Sequence, residues 1–339
     1  MALFDPKADS PLLDQELLER KDRYRQLPIE DMGRDALLEV FKVHPKTIQS
    51  LEGGRNAMDH IVVVATIEDG TEVRKVVVRL NTGSEPEEQL LVEERLYALW
   101  RNVGVRVPQI YGTRIRSASE KFDYMVMEHI GDGTLESVDS EKKGRALSGA
   151  GAYLAGLHGL SVPKFGPLVC SSSTAILEGQ HESWRVAIED GISDTLSYLV
   201  NKELLSTAQV SRIEAVFSKH AALLDIEDAV VLHGDYHPGN ILMHKASNTI
   251  AGAIDLSQTK SGDRVFDLAF FSTYEEQGVT ELMQGYREHA VLPDDLDVRM
   301  NLYRLRILMS KAKLRNRFGY FERIPQALRG IEDAVRNLV

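Results

Sequence analysis

The chain has 339 residues, 43% of them apolar, and a formal net charge of −11. That length accommodates two domains, and the acidic balance argues against a nucleic-acid binder, which would carry a basic excess. Cys170 is the only cysteine, which excludes an internal disulfide and a cysteine-rich zinc site.

The N-terminus has no basic start leading into an apolar stretch, and no window approaches eighteen apolar residues. A cytoplasmic protein without a membrane partner is therefore expected. Ser10-Pro11 caps and opens a helix carrying Leu12, Leu13, Leu17 and Leu18 on one stripe, ending before Pro28. A short helix is expected over Asp35 to Val43. A β-rich stretch follows: Thr47 to Leu51 leads into Glu52-Gly53-Gly54-Arg55-Asn56, then His60 to Ile67 and Glu72 to Leu80 read as strands. Asp69-Gly70 between them is a two-residue hairpin signal. Glu85 to Val103 has helical spacing, with Leu90, Leu91, Leu96 and Leu99 on one side, and strands follow near Gln109 to Ile115 and Asp123 to His129.

Beyond Gly131 the pattern changes to helices, at Gly144 to Leu160, Ser183 to Val200, Thr207 to Leu224, Thr280 to His289, Leu296 to Phe318 and Ile324 to Leu338. Val162 to Ser173 reads as a loop bearing Gly and Pro. Two short apolar runs, Ala229 to Leu232 and Ile250 to Ile254, interrupt the helices. The expected organisation is an N-terminal domain over residues 1–130, with residues 1–46 a helical extension, and a C-terminal domain over 131–339. The boundary falls where Gly131-Asp132-Gly133 relaxes the backbone.

The two apolar runs bracket the part of the chain richest in chemistry, His233-Gly234-Asp235-Tyr236-His237-Pro238-Gly239-Asn240, with Ile254-Asp255 fifteen residues beyond it. This spacing sets a candidate base (Asp235), an amide oxygen (Asn240) and a second carboxylate (Asp255) along one loop and the start of the next. Phosphoryl transfer from a nucleotide needs that set: one group to accept or orient a hydroxyl proton, and two hard oxygen ligands to hold Mg2+ on the phosphates. Taken singly, Asp235 reads equally as a turn aspartate, Asn240 as a loop amide and Asp255 as a surface carboxylate. His-x-Asp-x-His also occurs in metal hydrolases, so a zinc hydrolase using His233, Asp235 and His237 is the alternative from another class. His158, His220, His244 and His289 are scattered without ligand spacing. His233 is read as a residue that bonds the loop, and His158 as a buried, hydrogen-bonded histidine.

A strand hairpin, a basic residue ending a strand, a helix with Glu93-Glu94, and a helical half holding H-G-D-x-H-x-G-N and I-D resemble the aminoglycoside phosphotransferase and choline kinase-like family. Gly262-Asp263 followed by Asp267-Leu268-Ala269 matches that family's trailing G-D-x-x-x-D-L-A. The resemblance implies an α+β, two-lobed protein kinase-like fold. Its small N-terminal lobe has an antiparallel sheet and one main helix, and its larger C-terminal lobe is mostly helical. It implies that Asp235 is catalytic and that Asn240 and Asp255 bind Mg2+. It also implies that ATP or GTP is held by Gly53 and Gly54, by Arg79 paired with Glu93 or with its close competitor Glu94, and by the backbone of Met127, Glu128, His129 and Ile130. Arg79 stands where kinases usually place a lysine, and Arg264 where the family often has proline.

The acceptor is then a small hydroxyl-bearing molecule, approached from the side of Asp235. Tyr274-Glu275-Glu276 reads either as a solvated helix end or as a holder of the ammonium groups of an aminoglycoside-like antibiotic, whereas Arg299, Arg304, Arg306, Lys311, Lys313, Arg315 and Arg317 make the late helix basic, some facing solvent and a few suiting an anionic or neutral acceptor. A metabolic kinase of choline, homoserine or sugar type is the alternative within the fold. A nucleotide-binding regulator without turnover has no need of Asp235, Asn240 and Asp255 together. A monomer or homodimer is expected.

Overall fold

The computed structural model describes residues 26–50, 61–69, 72–82, 87–117, 120–170 and 176–339. The helix expected from Ser10, the turn at Gly53-Gly54 and the hairpin tip at Gly70 lie outside them. The described chain forms two compact units, the first ending at Gly131 and the second running from Asp132 to Val339.

A five-stranded antiparallel sheet is the frame of the first unit. Its strands β1 (Thr47–Ser50), β2 (Ile61–Asp69), β3 (Glu72–Asn81), β4 (Ile110–Arg114) and β5 (Asp123–Glu128) lie in the order β1-β2-β3-β5-β4. Pairing of β2 with β3 runs unbroken from Ile61↔Leu80 to Asp69↔Glu72, the register of a two-residue connection. Ile61, Val63, Ala65 and Ile67 on β2 and Val76, Val78 and Leu80 on β3 are buried, the period of two that one covered sheet face demands. Against them pack Ile29, Met32, Ala36 and Leu37 of helix α1 (Ile29–Phe41). That helix starts well before Asp35, because the carbonyl of Pro28 already accepts the first helical bond from Met32 N. Helix α2 (Gln89–Asn102) buries Leu90, Glu93, Leu96, Tyr97 and Trp100, while Leu91 faces solvent: the true stripe follows 3.6-residue spacing and excludes that leucine. Asp123 is fully buried at one corner, where its carboxylate accepts from Asn81 Nδ2 (2.8 Å), Glu87 N (3.1 Å) and Arg116 N (2.7 Å).

The second unit is mainly helical. Its helices are α3 (Ser140–Leu157), α4 (Trp184–Glu189), α5 (Ile192–Asn201), α6 (Thr207–Lys219), α7 (Val265–Ser272), α8 (Val279–Arg287), α9 (Leu296–Arg317) and α10 (Ile324–Leu338). The single helix expected over Ser183 to Val200 is divided between α4 and α5, since the chain reverses at Gly191 in the left-handed region (φ 67°). The unit also carries two small sheets, ordered β11-β10-β6 and β8-β7-β12-β9. Their strands are β6 (Gly133–Thr134), β7 (Phe165–Cys170), β8 (Leu177–His181), β9 (Val230–Leu232), β10 (Ile241–His244), β11 (Thr249–Ala253) and β12 (Lys260–Gly262). Part of the expected Val162 to Ser173 loop is therefore strand β7, despite Pro167. Helices α3 and α8 meet through Gly151 and Gly285: a Cβ on either would stand 1.8 Å from Leu282 O or 1.9 Å from Ser148 O, respectively. Every residue of α7 is buried. Among the described residues, no helix is long and apolar enough to cross a membrane.

Candidate active site

Strand β9 delivers the chain to His233, and Gly234 turns it with φ 78°. A side chain is impossible there, since a Cβ would lie 1.9 Å from Gln258 O. The turn is fastened from below by Asp267 of α7, whose carboxylate accepts from His233 N (2.7 Å) and Gly234 N (2.9 Å). His158, at the end of α3, places Nε2 3.1 Å from the same carboxylate and Nδ1 2.9 Å from the Tyr286 hydroxyl. Burial alone would raise the Asp267 pKa, but the hydrogen bond from His158, its charge and the backbone N–H groups outweigh that and hold it below the ordinary value. The helix bearing Asp267 is set in turn by Asp263, which accepts from Val265 N (2.9 Å), Arg299 Nη1 (2.9 Å) and Tyr303 Oη (2.8 Å).

His233 is consumed by structure. Its Nδ1 accepts from Asp235 N (3.3 Å), so the proton sits on Nε2, which donates to Ile254 O (3.1 Å). Burial lowers its pKa and keeps the ring neutral. Tyr236 is buried and donates to Ala150 O (2.8 Å), so the side chains of Asp235 and His237 are left to face outward, each about one-fifth exposed. His237 caps the short turn Pro238–Asn240, accepting from Gly239 N (3.1 Å) on Nδ1; its Nε2 lies 3.7 Å from Asp235 Oδ2. Burial first, and the Lys311 charge second, lower its pKa to about 4. The Tyr274 ring stacks on it at 4.4 Å and 17°.

Asn240 ties the set together. Its Nδ2 donates both hydrogens to Asp235, one to the carboxylate (2.9 Å) and one to the carbonyl (3.1 Å). This bonding fixes which way the amide points and turns Oδ1 away from Asp235. The Asn240 carbonyl accepts from Ile254 N (3.0 Å), which brings Asp255 alongside. Asp255 has φ 67°, a left-handed backbone that aspartate tolerates better than most residues, and its Oδ1 accepts from Ser257 Oγ (2.9 Å). Burial, then the Asp255 charge, raise the pKa of Asp235. An amide oxygen and a carboxylate at the ends of adjoining segments make a donor set of the kind Mg2+ takes, with the remaining positions left to water and phosphate. They do not suit zinc. Both nitrogens of His233 are occupied by backbone, and no group of three or more His, Cys, Asp or Glu able to hold a metal occurs among the described residues.

In the first unit, Arg79 pairs with Glu93 and not Glu94. Nη1 donates to Oε2 at 2.5 Å and Nη2 to Oε1 at 3.3 Å, both side chains being buried. Met127 is buried in β5, Glu128 N and Oε2 bond to Gln109 O and N (2.8 and 3.1 Å), and His129 N donates to Lys75 O (3.3 Å). Glu275 is paired with Lys143, and the mostly exposed Glu276 with Arg304 (3.1 Å), so each carboxylate already has a cation of the protein's own. Sequence reasoning quoted Asp267 only as a motif letter and missed its role as anchor of the loop. The signal was there in the match to G-D-x-x-x-D-L-A. Lys311, by contrast, had no signal beyond membership of a basic run.

A family model described as the phosphotransferase enzyme family matches residues 64–329. The chain belongs to that family. It is therefore a phosphotransferase acting on a small molecule. No curated protein matches the sequence. Among solved structures, an apo thermostable mutant of the aminoglycoside phosphotransferase APH(4)-Ia is similar, with 19% identity, TM-score 0.67, and coverage of 90% of this chain and 98% of that one. A putative fructosamine-3-kinase from Thermobifida fusca gives 20% identity and TM-score 0.64 over 89% and 98% of the two chains. Macrolide 2'-phosphotransferase MphH from Brachybacterium faecium gives 16% and 0.59 over 89% and 97%. At these identities the likeness shows the fold, an α+β kinase-like one. The APH(4)-Ia mutant has also been crystallised with ADP and hygromycin B.

Proposed function

We propose that this phosphotransferase moves the γ-phosphate of ATP or GTP to a hydroxyl of a small molecule, with Mg2+ required. The observation that carries the reading is Asn240, whose amide nitrogen holds Asp235 while Asp255 is drawn alongside by the Ile254–Asn240 bond. Asp235 orients the acceptor hydroxyl and takes its proton as the bond to phosphorus forms; burial beside Asp255 makes it a better base than an exposed aspartate. Asn240 Oδ1 and Asp255 would hold the Mg2+, which would supply charge neutralisation for the phosphate oxygens. Arg79, fixed by Glu93, contacts the α and β phosphates through its guanidinium fork. The backbone of residues 127–130 reads the base, and the Gly53-Gly54 turn approaches the phosphates.

Nucleotide complexes of similar proteins support the nucleotide as co-substrate. An aminoglycoside-like acceptor, the reading those neighbours favour, rested in this chain on Glu275 and Glu276, and both are paired internally. The test is ADP release from nucleotide over a panel of hydroxyl compounds, with and without Mg2+. Asp235→Ala should lower turnover by about 10²-fold or more while nucleotide binding persists. Near-normal turnover in that variant ends the assignment.

A further inference from the structure

The surface beside Asp235 within the second unit is walled by aromatic rings and cations. Tyr274 stacks on His237, and Lys311 of α9 reaches over the far face of Tyr274, its Nζ 3.6 Å from the ring centroid and 4.3 Å from that of Phe270. Lys311 is 6% exposed, and its Nζ donates to Thr273 Oγ1. No carboxylate among the described residues forms an ion pair with it. One helical turn along, Arg315 points the same way: its charge acts on both Lys311 and the Tyr274 hydroxyl, and its Nη1 donates to Arg323 O (2.6 Å). Arg323 acts on that hydroxyl too. The anionic groups felt here are Asp235 itself, Asp255 at His237, Glu322 at Arg315 and the exposed Glu136.

A buried ammonium bonded to one hydroxyl and two ring faces, with the Asp235 carboxylate acting on it only through space, is incompletely compensated, because desolvation costs more than a neutral acceptor and cation–π contacts return. Burial holds Lys311 well below its usual pKa, opposed by Asp235. An arriving anion supplies the missing partner. A polycation would meet Lys311, Arg315 and Arg323, with Glu275 and Glu276 already paired inside the protein.

Resting on the phosphotransferase reading above, we propose that the acceptor carries an anionic group, a carboxylate or a phosphate ester, received by Lys311 with Arg315 behind it, while its hydroxyl faces Asp235. The bond that forms is from acceptor oxygen to the γ-phosphorus, the bond that breaks is from that phosphorus to the β–γ bridging oxygen, and the hydroxyl proton passes to Asp235.

The experiment follows ADP release from MgATP with matched probes: gluconate against glucose, glycerate against glycerol, and hygromycin B as the polycation. The expected result is a preference for the acid of each pair by at least about tenfold in kcat/KM, the low end of what a charge-assisted hydrogen bond contributes. Lys311→Met should bring that ratio to about one, and Lys311→Arg should restore part of it. A thermal melt separates loss of recognition from loss of fold, since removing an uncompensated buried charge should leave Lys311→Met at least as stable as the wild type. The proposal is overturned if neither acid is phosphorylated, if hygromycin B or the neutral partners are preferred, or if the ratio survives in Lys311→Met. Equal loss on acid and neutral probes also overturns it, placing Lys311 on the transferring phosphate. Asp235-dependent turnover of glucose or hygromycin B would leave the phosphotransferase reading standing; absence of Asp235-dependent nucleotide consumption with every probe would remove that as well.

Discussion

Replacing Asp267 by asparagine is a sensitive probe of how the loop from His233 to Asn240 is held. The amide is the same size but presents one oxygen where the carboxylate presents two. With that oxygen in the Oδ2 position it keeps His233 N–H and His158, and its NH2 is then set against Gly234 N–H, which in the wild type donates across 2.9 Å. Orphaning that buried N–H costs about 1–3 kcal/mol, and loss of charge assistance in the two surviving bonds adds roughly 1 kcal/mol. The expected destabilisation of Asp267→Asn is therefore about 2–4 kcal/mol, read as a lower urea midpoint at unchanged slope.

The pH dependence follows from the direction of the Asp267 shift. Its folded pKa lies below the ordinary 3.8, so its contribution is complete above that value and is lost as the pH falls through the folded one. The stability gap between wild type and Asp267→Asn should be flat from neutral pH down to about pH 4 and narrow only below it. A gap under about 0.5 kcal/mol at neutral pH, or one that closes well above pH 4, would refute the anchoring argument.

Asp255→Ala should weaken Mg2+ and nucleotide together, by about tenfold or more in calorimetric titration, because it removes the only carboxylate of the proposed ion site; unchanged affinities would contradict the ligand role. Glu93→Gln should destabilise the protein by about 1–3 kcal/mol, since it removes the negative charge facing a buried guanidinium, and a loss below about 0.5 kcal/mol in urea unfolding would show that the charge of Glu93 is not what holds Arg79. Gly151→Ala should lower the melting temperature by several degrees, because its methyl group meets the carbonyl of Leu282 and α3 and α8 must move apart. An unshifted melt would mean that this helix contact is soft.

Those parts of the site that lie close together along the chain were legible in the sequence. Asp235, Asn240 and Asp255 sit within one loop and the next strand end, so spacing alone groups them, and the strand character of β2 and β3 was plain from their valines. Other features depend on partners far along the chain. Glu275 and Glu276 looked available until Lys143 and Arg304, 132 and 28 residues distant, were seen to hold them. Lys311 stands in a run of basic residues of which some could face solvent and a few a pocket; Arg306, Lys311 and Arg317 of α9 are all buried, and periodicity alone cannot pick them out of the run. Strand β7 was hidden by Gly166 and Pro167, which signal a loop locally and are tolerated because the pairing with β8 skips from Phe165 to Leu168, a bulge that asks no ladder bond of the proline on that side. The break between α4 and α5 lies at Asp190-Gly191, where helical spacing on both flanks ran together.

The amide at position 240 has an implication for what substitutions this loop will accept. Magnesium alone would take aspartate there as readily as asparagine. Aspartate, however, would aim lone pairs at the Asp235 carboxylate and carbonyl where hydrogens now point. Glutamine would carry the same two faces one methylene too far. If Asn240 holds the ion as proposed, a single residue answers to two neighbours of opposite need, one wanting a proton donor and the other an electron pair, and among side chains of that length only asparagine offers both ends at once.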